Sequence, residues 1–301
     1  MTAPISLSLD AVIATVTDEE PRLLAVERAG TWAIPTGLLD PEHDRKLEAG
    51  LRRWVASQTG LDVGYVEQLY TFGDLHRRRE PAAPRHLSVA YLALVAEAQP
   101  SPGAAWLDWY EVFPWEDHRG GPPQVLTDHL APALDAWAHG DSGREGRVAI
   151  TFARDSVWDP IRALERYELL YEARLVSEVF RDDGRVPPAG LHGRELAYDH
   201  RRVVATAIGR LRGKLTYRPV VFEVMPDTFT LTGLQRTVEA LSGVRIHKQN
   251  FRRLVERGQL VEGTGETAAS TGGRPAELFR FRQEVVSERP RPGMRLPGMR
   301  T

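Results

Sequence analysis

The chain has 301 residues, 42% of them hydrophobic and 27% charged, a formal net charge of −2 and no cysteine. That length supports two or three cores and excludes disorder as the global state, while the missing thiols exclude a disulfide framework, a thiolate zinc site and a cysteine nucleophile. No apolar run of about 18 residues and no basic leader ahead of an apolar stretch is present, so a cytoplasmic protein with no membrane partner is expected.

Residues 5–17 and 22–28 are rich in β-branched and aliphatic side chains around the polar turn Asp18-Glu19-Glu20-Pro21 and predict a hairpin. Trp32 to Gly37 then leads through a polar loop into a helix over 46–59. There Leu47, Leu51, Trp54 and Val55 fall on one face, and Gly60 stands where a left-handed cap belongs. Further strands are expected over 65–72 and 87–97. After the Pro- and Gly-rich stretch 98–103 the pattern turns to helices broken by Gly and Pro, over 124–139 and 159–180. This middle region is acidic and holds several Trp residues, which read as core packed between two flanking modules; it carries no recognisable chemistry.

Charge divides the chain. From Asp199 to Thr301 there are 19 Lys and Arg against 10 Asp and Glu, a net of +9, while residues 1–198 hold 20 against 31, a net of −11. A basic excess serves a solvated face, nucleic acid or anionic lipid equally well, so residue patterns must decide. Residues 201–215, 228–242 and 248–257 each show an apolar helical stripe, Gly243 ends the second, and 260–262 with 277–281 form a hairpin around a Gly/Ser/Thr-rich tip. Helix, helix, helix, hairpin is the order of a winged helix-turn-helix. In its last helix Phe251, Leu254 and Val255 point inward, leaving Lys248, Gln249, Asn250, Arg252, Arg253, Glu256 and Arg257 outside. Amides and guanidiniums there suit base edges and phosphates of double-stranded DNA. Arg274, beside Gly272 and Gly273 at the hairpin tip, suits a phosphate or the minor groove, or is incidental to a glycine loop.

The glycine, polar loop and helix ending Thr59-Gly60-Leu61 resemble the Nudix box, whose helix holds a hard divalent cation on glutamates for diphosphate hydrolysis. Anchored on Gly60, the box arginine is Arg53, but Trp54, Ser57 and Gln58 stand at the glutamate positions, and Gly37 lies two residues too far upstream. Glu48 remains, one turn from Arg52, with which it forms an i,i+4 pair. No metal site, catalytic residue or cofactor is expected, although a pocket can persist without catalysis. Pro84-Arg85 resembles the Pro-Arg step of ADP-ribose-binding Nudix proteins, with Arg77, Arg78 and Arg79 upstream as phosphate partners or a solvated loop. The expected effector residues are Trp32, Gly37, Arg53, Arg78 and Arg85.

A degenerate Nudix domain followed by a winged helix resembles the Nudix-related transcriptional regulator family. Asp199-His200-Arg201-Arg202, Leu211-Arg212-Gly213-Lys214, Tyr217-Arg218-Pro219-Val220, Phe229-Thr230-Leu231, Leu234-Gln235, Asn250-Phe251-Arg252-Arg253 and Gly273-Arg274-Pro275-Ala276 carry the resemblance. It implies an α+β chain: a Nudix-like α/β/α sandwich sensor over 1–103, a helical connection over 104–194, a winged-helix DNA reader over 195–285 and a basic tail over 286–301. It also implies a homodimeric repressor of NAD-metabolism or sugar-use genes, binding a double-stranded DNA operator and a nucleotide effector such as ADP-ribose or NAD. The rival readings are an active Nudix hydrolase with an accessory nucleic-acid-binding domain, and a scaffold whose winged helix binds protein.

Overall fold

Strict alternation along β1 (Ile5–Thr17) sends Leu7, Leu9, Ala11 and Ile13 to one core and Val12, Ala14 and Val16 to another, so both faces of the strand must be covered. The computed structural model describes residues 5–73, 85–154, 156–268, 275–285 and 293–294. β2 (Glu20–Arg28) pairs antiparallel with β1 through a two-residue turn in which Asp18 and Glu19 both have positive φ, 51° and 64°. That is the twist-matched hairpin turn, and it lets pairing start at Glu20 rather than beyond Pro21.

Two short strands, β3 (Thr31–Ala33) and β4 (Thr36–Leu38), follow, pairing with β2 and β1 respectively. Helix α1 (Leu47–Thr59) ends on Gly60, whose φ of 71° is the left-handed conformation its position demanded. β5 (Tyr65–Phe72) pairs antiparallel with β6 (Arg85–Leu94), which runs parallel to β1 and completes the order β3-β2-β1-β6-β5. β7 (Ala104–Asp108) adds to β2, so the sheet continues beyond the expected boundary at 103.

The middle region is more broken than its sequence predicts. α2 (Trp109–Val112) opens it, a π-turn at Leu126–Leu130 feeds α3 (Ala131–Ala138), and α4 (Ser142–Thr151) is an addition, capped by Asp141. Gly143 and Gly146 lower helix propensity and hid α4. The single helix expected over 159–180 is instead a 3-10 turn at Pro160–Arg162, α5 (Ala163–Glu172) and α6 (Ser177–Asp182). Arg174 at φ 60° breaks it and turns Val176 into the core.

The C-terminal module runs α7 (His200–Tyr217), a 3-10 turn at Val220–Val224, α8 (Leu231–Ser242), α9 (Lys248–Gly258), β8 (Val261–Thr267) and β9 (Glu277–Phe281). Thr230 caps α8 by accepting from Gly233 N–H, which moves its start three residues past the expected 228. The order is that of a winged helix-turn-helix, and Phe229 exchanges two backbone hydrogen bonds with Phe279 to give the wing a third short strand.

The expected α/β/α sandwich is present, with an unexpected second slice. Leu51 and Val55 of α1 cover one face of the sheet beside Leu9, Ile13 and Tyr91. The other face, Val12, Ala14, Leu23 and Leu92, is covered by Val204, Ala207, Ile208 and Leu211 of α7. The first helix of the winged-helix module is therefore also the outer layer of the Nudix sandwich, and Trp109 and Trp115 are buried in the core they share. Among the described residues no helix is long and apolar enough to cross a membrane.

Candidate effector pocket and nucleic-acid interface

Each α9 side chain is placed by one constraint: Phe251 and Val255 are buried, so their helical neighbours point out. Lys248, Gln249, Asn250, Arg252, Arg253, Glu256 and Arg257 are all exposed, and Leu254, expected inward, is half-buried at the edge. No carboxylate pairs with Lys248, Arg252 or Arg253 among the described residues. The helix is held at a fixed angle by residues whose role sequence reasoning did not see. Gln235 of α8 donates to Ile246 O (2.8 Å) and Glu239 (2.9 Å), while Glu239 accepts from Ile246 N–H (2.9 Å) and Arg245 (2.7 Å). The turn between the two helices is thus pinned from behind. Arg274 lies outside the described residues.

The basic residues of α7 and α8 behave differently. Arg201 and Arg212 are fully buried. Arg212 ion-pairs with buried Glu116 and donates to Leu241 O at 3.1 Å, and Arg166 of α5 holds the same carboxylate through Nε (2.6 Å) and Nη2 (2.9 Å). Burial by itself would raise the Glu116 carboxyl, but the two guanidiniums outweigh it and hold it below the usual carboxylate value. Arg201 pairs with Glu178 (3.2 Å) and donates to Val112 O (2.7 Å). Arg202 pairs with Glu168, Arg210 and Lys214 with Glu67, and Arg236 with Glu19. Much of the opposed charge of the two halves is therefore neutralised at their junction, so the basic excess overstates the surface left for a partner. Beside the triad, His118 stacks on Trp158 with ring centroids 3.7 Å apart, and burial pushes its imidazole down to about 4.

At the Nudix-like helix, two of the three side chains in place of glutamates are committed to β4. Trp54 Nε1–H donates to Leu38 O at 2.9 Å, and its indole lies on Gly37 so closely that a Cβ there would sit 2.1 Å away. Gln58 donates to Thr36 O (2.7 Å) and accepts from Thr36 N–H (3.2 Å); Ser57 Oγ donates back to Trp54 O at 3.0 Å. Arg53 is held by Asp44 at 2.8 Å and stacks on Trp54, and Glu48 pairs with Arg52 at 2.8 Å as its spacing predicts. Three neutral side chains and two paired carboxylates offer no open cluster for a hard cation, and among the described residues no group of three or more His, Cys, Asp or Glu side chains is placed to hold a metal ion.

Behind this helix Asp10, 1% exposed, accepts from Ser8 (3.0 Å), Thr36 Oγ1 (2.5 Å) and Ser88. Arg85 is exposed and opens β6 opposite Ile5, while Gly37 pairs with Leu9 on the other side of β1. Two strand spacings and four residues along β1 separate Gly37 from Arg85 by about 16 Å. Trp32 is half-buried at the β3 edge, and Arg78 lies outside the described residues. Trp32, Gly37, Arg53 and Arg85 therefore do not meet at one point.

Comparison with known proteins matches both ends of the chain. A family model described as NUDIX domain covers residues 7–132, and one described as NrtR DNA-binding winged helix domain covers residues 221–281. The ADPR responsive transcriptional repressor NtrR of Acinetobacter baylyi is 23% identical over 280 residues, 91% of this chain and 81% of the relative. Shewanella oneidensis NrtR, solved with a 27mer DNA, is similar over 93% of this chain and 95% of its own, at 24% identity and a TM-score of 0.57. A MutT/nudix family protein from Enterococcus faecalis reaches the same TM-score at 18% identity, over 94% of this chain and 88% of its own. The chain thus carries a NUDIX domain at one end and an NrtR-type winged helix domain at the other, the domain pair of the Nudix-related transcriptional regulators that its sequence resembles.

Proposed function

We propose that the chain is a transcriptional repressor that reads double-stranded DNA through α9 and senses a nucleotide diphosphate, ADP-ribose or a close relative, on its Nudix sheet. The observation that carries this reading is the contrast among the cations: those of α7 and α8 are paired internally, whereas Lys248, Arg252 and Arg253 of α9 face outward with no carboxylate paired to them among the described residues. Exposed cations left open along one helix face, away from the core, are the footprint of a phosphate backbone with base edges between. The similarity to the ADPR responsive repressor and to the DNA-bound regulator supports both halves of the reading.

In this reading the Nudix unit binds without hydrolysing. Mg²⁺ chemistry on a diphosphate needs several carboxylates facing one cation, whereas here Trp54 and Gln58 fasten α1 to β4 and Ser57 bonds back within α1. Lys248, Gln249, Asn250, Arg252, Arg253, Arg257 and Arg274 are the DNA-facing residues, and Trp32, Gly37, Arg53, Arg78 and Arg85 border the effector. A homodimer acting on genes of NAD metabolism completes the proposal, since two readers on a palindromic operator require two copies of α9 about one helical turn apart.

The test is a titration of the full chain against a duplex selected by it from a random pool, with and without ADP-ribose, followed by incubation with ADP-ribose and Mg²⁺ or Mn²⁺. Salt-dependent sequence-specific binding that ADP-ribose changes, with no turnover near 1 s⁻¹, is expected. Hydrolysis at that rate returns the chain to the hydrolases.

A further inference from the structure

The segment bordered by the two expected effector residues Trp32 and Gly37 is hydrogen-bonded on both of its sides. On the sheet side, Pro35 O accepts from Ala11 N–H at 2.9 Å, and Thr36 is held by Asp10 and Gln58. On the opposite side it meets the start of α7. Ala197 N–H donates to Trp32 O at 2.7 Å, and Ile34 N–H donates to His200 Nδ1 at 3.2 Å, across 166 residues of sequence. Ile34 is fully buried and His200 is 1% exposed, so this bond is shielded from water.

A backbone N–H only donates, so Nδ1 of His200 carries no proton in this arrangement and the ring is an acceptor. His200 is the first residue of α7, an 18-residue helix whose far half holds α8 through Arg212 and Leu241 O. A displacement of Ile34 is therefore delivered to one end of a rigid rod, and the other end of that rod carries the helix pair that aims α9.

Building on the function proposed above, we propose that His200 is the positioning residue that transmits occupancy of the nucleotide site to the winged helix, by keeping α7 hydrogen-bonded to the Trp32–Thr36 segment. His200 touches neither ligand in this assignment. Its effect is on the coupling between two sites, the factor by which one ligand changes the affinity for the other.

The experiment measures that factor in the full chain, using ADP-ribose and the pool-selected duplex as probes. His200→Leu removes the acceptor; His200→Asn offers Oδ1 near the place of Nδ1. The expected result is that His200→Leu reduces the coupling factor about fivefold, the worth of one buried hydrogen bond, while His200→Asn stays within about twofold of the native chain. The affinity of each variant for either probe alone should change by less than about threefold, which a merely structural role would not preserve. Linkage requires the same factor when ADP-ribose is titrated with and without the duplex. If His200→Leu does not fold, His200→Gln, whose acceptor is carried one bond farther, takes its place with the same expected loss. Full coupling in the acceptor-less variant, or equal loss in His200→Asn, overturns the inference while leaving the functional reading intact. A native chain that binds both probes without coupling overturns that reading, and the inference with it.

Discussion

Helices α7 and α9 belong to one module, both are rich in arginine, and they use it in opposite ways. α7 has Arg201 and Arg212 fully buried, each on a carboxylate from the middle region, and lays its apolar face on the Nudix sheet. α9 buries Phe251 and Val255 and exposes every other charged or amide side chain. The difference teaches that net charge locates a basic segment but not its partner. A guanidinium can satisfy its charge inside the protein at the cost of burying a carboxylate, or leave it for a ligand.

Removing a buried cation tests the contrast most severely. Arg212→Ala leaves Glu116 facing only Arg166 and strands Leu241 O, and thermal unfolding should show a loss of about 3–5 kcal/mol. A change under about 1 kcal/mol would mean that the triad is not needed to hold α7.

Acid should act on the same junction through His118. Its folded value of about 4 lies below the unfolded value of about 6.5. The unfolded chain therefore binds the extra proton between those values, and stability must fall as pH drops from about 6.5 to about 4, by up to about 3 kcal/mol. Chemical denaturation at pH 7 and pH 5 measures the slope, and His118→Gln should flatten it; an unaltered slope in the variant would assign the acid sensitivity elsewhere.

On α9 the expected effects are on binding alone. Asn250→Ala or Arg253→Ala should each weaken specific DNA binding by about 1–3 kcal/mol and relax base preference, with an unfolding midpoint that stays in place. Loss of stability comparable to the loss of affinity would show that α9 resembles α7 after all.

The smallest effect is expected where the two kinds of arginine meet. Arg210 lies on α7 yet is exposed, 3.4 Å from Glu67. Arg210→Ala should cost about 0–1 kcal/mol in stability and leave the affinity for DNA unchanged in a fluorescence titration.

How much of this was legible in the residues depends on how local the determinant is. β1 and β5 are found at the expected bounds because both are rich in β-branched, aliphatic and aromatic side chains and are flanked by turn residues, and α1 because Leu47, Leu51 and Val55 repeat beside a left-handed glycine cap. The outward set of α9 follows from Phe251 and Val255 in the same way. The middle helices were harder to read, since Arg174 in a left-handed conformation and glycines inside α4 run against intrinsic propensity and are imposed by packing. Nothing local marks Glu116, Arg166 and Arg212 as one buried cluster: their partners lie 50 and 96 residues away. The effector border is intermediate. Gly37 and the three altered glutamate positions were visible as a departure from the Nudix box, but that Trp54 lies on Gly37 and Gln58 clasps Thr36 needed the fold.

That α7 serves two layers has a consequence for anyone who wishes to recombine such proteins. A cut placed ahead of residue 195 strips the Nudix sheet of its outer helix and exposes Val12, Ala14, Leu23 and Leu92 to water, so neither piece is a natural unit of exchange. The NrtR winged-helix match begins at residue 221, after α7 has ended at Tyr217. A chimera joined at that turn keeps the sensor's own helix with its sheet, and the incoming reader must then accept Arg212 of that helix at the carbonyl that Leu241 supplies here.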